Sequence, residues 1–236
     1  TWFTAALDFK QGKATAARIG PRRITAAGAV SAESVMLAGF LMLGVAIALS
    51  IPLIMARGLP ILMIGIPSLY FCYGYTGGPA PLAYRGLGEL FVILFFGFIA
   101  VMGSAYVQCG EWLVGGLVAG FQIGCLSTVL IAVNNLRDRK EDSTTGKRTL
   151  AVRFGKNFAR IEITLLILLA YVMGLYWWDT GFEMGFTLPL TILPLGLFVL
   201  FRLWTTEPGP SYNRLLAMSG AQLLLFAALF CAAIIP

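Results

Sequence analysis

Histidine is absent from all 236 residues. A Ser/His or Cys/His catalytic pair and any imidazole-based metal site are therefore excluded. The four cysteines, Cys72, Cys109, Cys125 and Cys231, are scattered in or beside apolar runs with no paired spacing, which argues against a thiolate metal centre or a disulfide framework. Charge is scarce too, at 12% of residues. The first 23 residues carry five basic side chains and no sustained apolar run, which does not read as a signal-peptide pattern. Chemistry is left to carboxylates, amides, hydroxyls and cations. What is abundant is apolar: 58% of residues are hydrophobic and mean hydropathy is +0.84. A chain of this size cannot bury that much apolar surface internally, so lipid is its main solvent.

Seven apolar runs are long enough to cross a bilayer, which needs roughly 17–25 residues per helix. They cover about 32–56, 59–76, 87–108, 111–133, 161–178, 186–204 and 215–235. Long unbroken runs argue against a barrel of short alternating strands. The expectation is an all-α polytopic membrane helix bundle forming one domain over 1–236. Pro189 and Pro194 lie inside the sixth run and predict a kink there. The GGPAP stretch at 77–81 predicts a loop or a broken helix. Alternating the loops across the membrane puts every basic residue except Arg57 on one side. The positive-inside rule makes that side cytoplasmic, so the polar loops 8–31 and 134–160 share it. Tyr176, Trp177 and Trp178 beside Asp179 and Glu183 read as an interfacial belt on the opposite side. Inward-facing loops account for the net charge of +6, and no nucleic-acid partner is implied.

One segment breaks the apolar pattern sharply. NNLRDRKED, Asn134 to Asp142, carries three acidic and three basic groups within its last six residues. Asn134, Asp138 and Asp142 recur every fourth position, which on a helix places them along one stripe about 6 Å apart in rise. The stripe begins where the fourth run ends, at the mouth of the bundle. Carboxylates at a helix C-terminus oppose the dipole, so another cation must neutralise them. Mg²⁺ commonly binds through one or two carboxylates plus substrate phosphates, and the surrounding Lys and Arg side chains suit the remaining phosphate charge.

Asn134 to Gly155, NNLRDRKEDSTTGKRTLAVRFG, resembles the second aspartate-rich motif of the UbiA superfamily of intramembrane aromatic prenyltransferases. Its form N-N-x-R-D-x-x-x-D-x-x-x-G-K-x-T-L is most similar to the branch acting on 1,4-dihydroxy-2-naphthoate in menaquinone and phylloquinone synthesis. Tyr75 to Gln108 resembles the tyrosine- and glycine-rich loop and following helix of that branch, and Arg18 to Arg23, RIGPRR, resembles the end of its first polar loop. The resemblance implies a nine-helix fold, of which the seven runs would be helices three to nine. On that register the chain is N-terminally truncated, lacking the first helix and most of the second.

The resemblance further implies transfer of a polyprenyl or phytyl group from its diphosphate to 1,4-dihydroxy-2-naphthoate, with loss of diphosphate and carbon dioxide. Asn134, Asp138 and Asp142, with Asp8 from the facing loop, are the implied Mg²⁺ ligands. Arg22, Arg23, Arg137, Lys147 and Arg148 are the implied cationic partners of the diphosphate. Tyr70, Tyr73, Tyr75 and Tyr84 lie near the depth where an allylic cation needs aromatic faces, and Tyr75 is preferred among them by resemblance. The implied setting is the cytoplasmic (inner) membrane of a bacterium or its equivalent, with membrane lipid around the isoprenoid tail. Acceptors such as 4-hydroxybenzoate or homogentisate stay open. A transporter would carry ionisable groups at mid-membrane; only Glu162 lies well inside a span edge, which argues against one.

The first acidic motif departs from the family pattern. The aligned stretch is TAALDFKQGKA, Thr4 to Ala14, where Thr4 replaces an expected asparagine and Ala5 and Ala14 replace expected aspartates. Only Asp8 survives among its acids, which keeps a catalytically impaired lipid-diphosphate binder as an alternative. Glu89 stands where aspartate is common and reads as a polar anchor in a buried loop. If the first motif limits turnover, Ala5→Asp combined with Ala14→Asp will raise the rate of prenyl transfer by the purified protein. An unchanged rate shows that Asp8 and the second motif suffice.

Overall fold

A computed structural model describes residues 30–77 and 82–234, together with Phe3, Ala6 and Leu7. Helices dominate it. Ser31 caps α1 (Ala32–Arg57), its hydroxyl accepting from the Ser34 N–H at 3.1 Å. One residue, Gly58, then turns the chain into α2 (Leu59–Gly74). Gly58 has φ of 73° and ψ of −147°, a conformation that a side chain disfavours. Pro60 in the first turn of α2 costs no hydrogen bond, because that N–H has no helical partner. After the short 3₁₀ turn Leu82–Tyr84 comes α3 (Gly88–Cys109), whose middle, Ile93–Met102, has π-type geometry.

The central helix is α4 (Val114–Arg137): 56% of its apolar window is buried, against 6% for α1 and for α3. It leads through Asp138 into the short α5 (Arg139–Thr144). Next come α6 (Leu150–Val172), α7 (Leu175–Asp179), α8 (Glu183–Leu190), α9 (Leu193–Thr205) and α10 (Tyr212–Ile234). Val133 and Leu136 of α4 pack with Ile163 and Ile167 of α6, Leu203 of α9 and Phe226 of α10 to form the core. Leu37, Leu49 and Met55 of α1 are exposed, as suits a face turned to lipid.

Among the described residues five helices are long and apolar enough to span a membrane, and α8 with α9 makes a sixth bent by 43°. The bend falls between Pro189 and Pro194, where the kink is expected, because Pro194 has no N–H to give the carbonyl four residues back. The chain is an all-α integral membrane bundle, as its apolar runs imply. The second run differs from expectation. Its helix is only 16 residues, roughly 24 Å at the helical rise against a hydrocarbon core of about 30 Å. A turn at Tyr75–Gly77 stops it, the Gly77 N–H reaching back to the Tyr73 carbonyl at 2.9 Å. The fifth run also differs, since α6 starts eleven residues before position 161. Thr149 caps it and Gly155, at φ of 86°, breaks its first turns from the rest.

Two contacts set the ends of the bundle. Arg57 donates from Nε to the Val107 carbonyl at 2.8 Å and from Nη2 to Gln108 at 2.6 Å. It thereby satisfies the open carbonyls at the C-terminus of α3, where the dipole favours a cation. At the other end Arg160 donates to the Thr206 carbonyl at 2.8 Å, and the Tyr212 hydroxyl donates to Leu203 and Thr206. Lys156 bonds Glu207 there at 2.8 Å, and this hydrogen bond holds the exposed Glu207 carboxyl below the usual carboxylate range.

The closest helix crossing is built from glycine. A Cβ on Gly97 of α3 would strike the Gly120 carbonyl oxygen and come within 2.7 Å of the Gly124 Cα. Small residues spaced by four let helix backbones touch where lipid supplies no hydrophobic drive. Gly97→Ala should destabilise the detergent-solubilised protein by about 1–3 kcal/mol through overpacking. Gly44→Ala, in α1 with nothing within 4 Å, should instead be neutral or stabilising by up to about 1 kcal/mol. Unfolding midpoints of the two variants check the opposite signs.

Candidate active site at the mouth of the bundle

The acidic stripe is real in three dimensions because the helical ladder runs through it. The Asp138 N–H bonds the Asn134 carbonyl at 3.0 Å, and the Asp142 N–H bonds the Asp138 carbonyl at 2.8 Å. Asp138 closes α4 and opens α5 with φ of −90° and ψ of 5°, so the chain passes the mouth almost without deviation. Both aspartates are buried, at 6% exposure. A carboxylate in such surroundings needs an opposite charge.

Arg137 supplies it. The guanidinium donates from Nε to Asp138 Oδ1 at 2.6 Å and from Nη2 to Asp138 Oδ2 at 2.7 Å, a bidentate fork. Nη2 also donates to Asn134 Oδ1 at 2.7 Å, and Nη1 donates to Asn213 Oδ1 at 2.7 Å. The Arg137 side chain is 1% exposed, so its fork faces inward to the motif and to α10. Asp142 pairs with Lys147 at 3.8 Å, and the same ammonium lies 5.8 Å from the centre of the Tyr84 ring. Arg148 is exposed.

Two further contacts draw the 82–89 segment to the motif. The Arg148 N–H bonds the Tyr84 carbonyl at 3.2 Å, and Arg153 bridges the Arg148 and Arg85 carbonyls at 3.0 and 2.8 Å. Gly86 is required at this crossing: φ is 71°, and a Cβ would stand 2.6 Å from the Arg148 carbonyl oxygen. Glu89 is buried, its Oε1 accepting from Asn135 Nδ2 at 2.7 Å, while Oε2 has no partner among the described residues. This is the polar anchor its position suggests. Tyr75 stands close by, its hydroxyl 3.0 Å from where a Cβ on Gly88 would lie.

Asn134, Arg137, Asp138, Asp142 and Lys147 thus gather at one end, with Tyr84 and Arg148 beside them and Tyr75 near Glu89. Asp8, Arg22 and Arg23 lie outside the described residues, as do Ala5 and Ala14. Asn213 was not foreseen, although its polar SYNR context just before the last apolar run is a visible signal. Among the described residues no three or more His, Cys, Asp or Glu side chains converge as a self-sufficient metal cage. Two carboxylates and an amide on one stripe do match the donor set of a Mg²⁺ ion that takes its remaining ligands from phosphate and water.

The fold and the site together define an integral membrane helix bundle with paired acidic and basic side chains gathered at one end. The comparisons narrow it. The UbiA prenyltransferase family profile matches residues 6–230, and the chain belongs to that family. It is similar to the 1,4-dihydroxy-2-naphthoate octaprenyltransferase of Mycobacterium leprae, 28% identical over 218 residues, which cover 89% of this chain and 71% of that protein. The proteins of the same name from Haemophilus influenzae and Mycobacterium tuberculosis are 32% and 36% identical. Those matches take in 69% and 66% of this chain but only 55% and 53% of the relatives' own lengths.

Removing Arg137 leaves a buried carboxylate without its counter-charge. Arg137→Leu should cost about 3–5 kcal/mol of stability, and Arg137→Lys should recover part of that, keeping the charge but losing the fork. Denaturant titration in detergent measures both.

Proposed function

We propose that the protein transfers a polyprenyl or phytyl group from its diphosphate to 1,4-dihydroxy-2-naphthoate, as a step in menaquinone or phylloquinone synthesis. The observation that carries the reading is the stripe of half-buried Asn134 and buried Asp138 and Asp142 at a bundle mouth, in a chain similar to enzymes of that name.

Asp138 and Asp142, with Asn134 and the sequence-implied Asp8, are the residues that would hold Mg²⁺. Bound there, the ion supplies positive charge to the leaving diphosphate. Lys147, Arg148, Arg22 and Arg23 bind the remaining phosphate oxygens, and Arg137 acts from behind by fixing Asp138. Charge concentrated where the leaving group becomes negative is the largest contribution to such a reaction. The allylic C–O bond breaks and its electron pair departs with the diphosphate. The allylic cation bonds to the ring carbon that carries the carboxylate, and loss of carbon dioxide restores aromaticity, so no histidine-like base is needed.

Tyr75 and the ring cluster of Phe71, Phe91 and Phe95, with centroids 4.8–5.7 Å apart, offer π faces close to the Glu89 end of α3. Each such face stabilises a cation by roughly 0.5–2 kcal/mol. The isoprenoid tail lies among apolar helices or emerges into lipid. The motif end faces the cytoplasm of a bacterial inner membrane or its equivalent, on the distribution of basic residues.

The purified protein, given Mg²⁺, a polyprenyl diphosphate and dihydroxynaphthoate, is expected to form a demethylmenaquinone-type product and release diphosphate. Asp138→Asn and Asp142→Asn should each lower the rate by about 10²-fold or more. Product formed faster from 4-hydroxybenzoate or homogentisate would reassign the acceptor. Diphosphate binding without product from any acceptor would make the chain a binder rather than an enzyme.

A further inference from the structure

Among the described residues, Asn213 is the one hydrogen-bond partner of the Arg137 side chain that does not come from the motif. It lies 76 positions along the chain, in the first turn of α10, and its carbonyl accepts from Nη1 at 2.7 Å. Asp138 and Asn134 both sit on the turn that carries Arg137, and they grip only the Nε and Nη2 side of the guanidinium. A planar group held along one edge can still tilt about that edge. The contact at Nη1, from a second helix, fixes the plane of the fork and so the plane of the carboxylate paired with it.

The position of Asn213 is itself well secured. Its neighbour Tyr212 is fully buried, its hydroxyl donating to the Leu203 and Thr206 carbonyls at 3.2 Å. Arg160 bonds the same Thr206 carbonyl at 2.8 Å. The start of α10 is thereby tied to the end of α9 and to α6, and Asn213 presents its carbonyl from a fixed frame.

We propose that Asn213 is a positioning residue for the acidic motif, orienting the Asp138 carboxylate through Arg137 without touching cation or substrate. The inference rests on the reading of Asp138 as a cation ligand. An amide suits the task because its carbonyl accepts from Nη1. A neutral side chain without an acceptor leaves Nη1 unsatisfied and the fork free to tilt. An aspartate at 213 still accepts from Nη1 and preserves the geometry.

The test uses the full chain in detergent with inorganic pyrophosphate, reading bound Mn²⁺ by electron paramagnetic resonance. Asn213→Leu should raise the half-saturating Mn²⁺ concentration by about 10-fold, whereas Asn213→Asp should stay close to the parent. In turnover assays the same split should appear in the Mg²⁺ requirement, with KM for the aromatic acceptor unchanged. Should Asn213→Leu fail to fold, Asn213→Ser takes its place, having too short a side chain to reach Nη1. Parent-like Mn²⁺ binding in Asn213→Leu or Asn213→Ser overturns the proposal. So does equal loss in the Asp and Leu variants, which would mark a packing role. Asp138→Ala separates the two layers. If it retains Mn²⁺ binding, the cation-ligand reading falls and this inference with it. If it loses binding while Asn213→Leu does not, only the positioning role falls.

Discussion

A guanidinium and a carboxylate buried together at the end of a membrane helix are costly to desolvate, and poor geometry does not recover that cost. Arg137 and Asp138 recover it with a bidentate fork, and the two asparagines take two of the three N–H groups the fork leaves over. The arrangement constrains everything near it. Asn134 must lie one turn back on α4, Asp138 must follow directly, and α10 must begin where Asn213 can reach. A shift of one residue along α4 turns the stripe by about 100° and carries Arg137 away from Asn213. The mouth of the bundle is therefore specified electrostatically, in a protein whose remaining surface is mostly interchangeable apolar contact.

Packing around that pair divides into two regimes. Next to lipid, burying a leucine gains little over leaving it among acyl chains, so α1 shows leucine and methionine outward, and α3 meets α4 through glycine backbones instead. At the polar end, short hydrogen bonds do the fixing. Gly86 lets the 82–89 segment close on the Arg148 carbonyl, and Arg153 clamps it there. The glycine crossing and this clamp share one helix, α3, which starts beside the motif and runs along α4. Glu89, one residue into α3, bonds Asn135 at the point where the two regimes meet.

Periodicity and composition reveal the spans because hydropathy is a local property of each run, and the prolines of the sixth run mark its 43° bend. The four-residue spacing of Asn134, Asp138 and Asp142 likewise encodes a stripe that the helical ladder realises. Helix ends are less visible. The second run reads as a full span through position 76, yet its helix stops at Gly74 because a turn, which hydropathy does not register, follows it. The inward aim of Arg137 is hidden for another reason. Sequence shows a basic residue among acids, but whether it faces solvent or core depends on an acceptor 76 residues away. Long-range amide contacts leave no period to detect.

That inward aim changes the electrostatics of the mouth. Arg137 with Asp138, and Lys147 with Asp142, are two opposed pairs whose charges cancel. A bare dication gains less from two paired carboxylates than from an unpaired aspartate cluster. A dication already carrying a diphosphate meets different terms. On the proposed function its phosphate oxygens would draw Lys147 away from Asp142 and engage the exposed Arg148, so that Asp142 could give an oxygen to the metal. On that function, oxygen ligation would be coupled to arrival of the phosphate, because Lys147, which neutralises Asp142, is among the cations the phosphate would attract. Arg137 is the exception. Buried and held by four hydrogen bonds, it stays with Asp138 and keeps one carboxylate fixed while its neighbour exchanges partners.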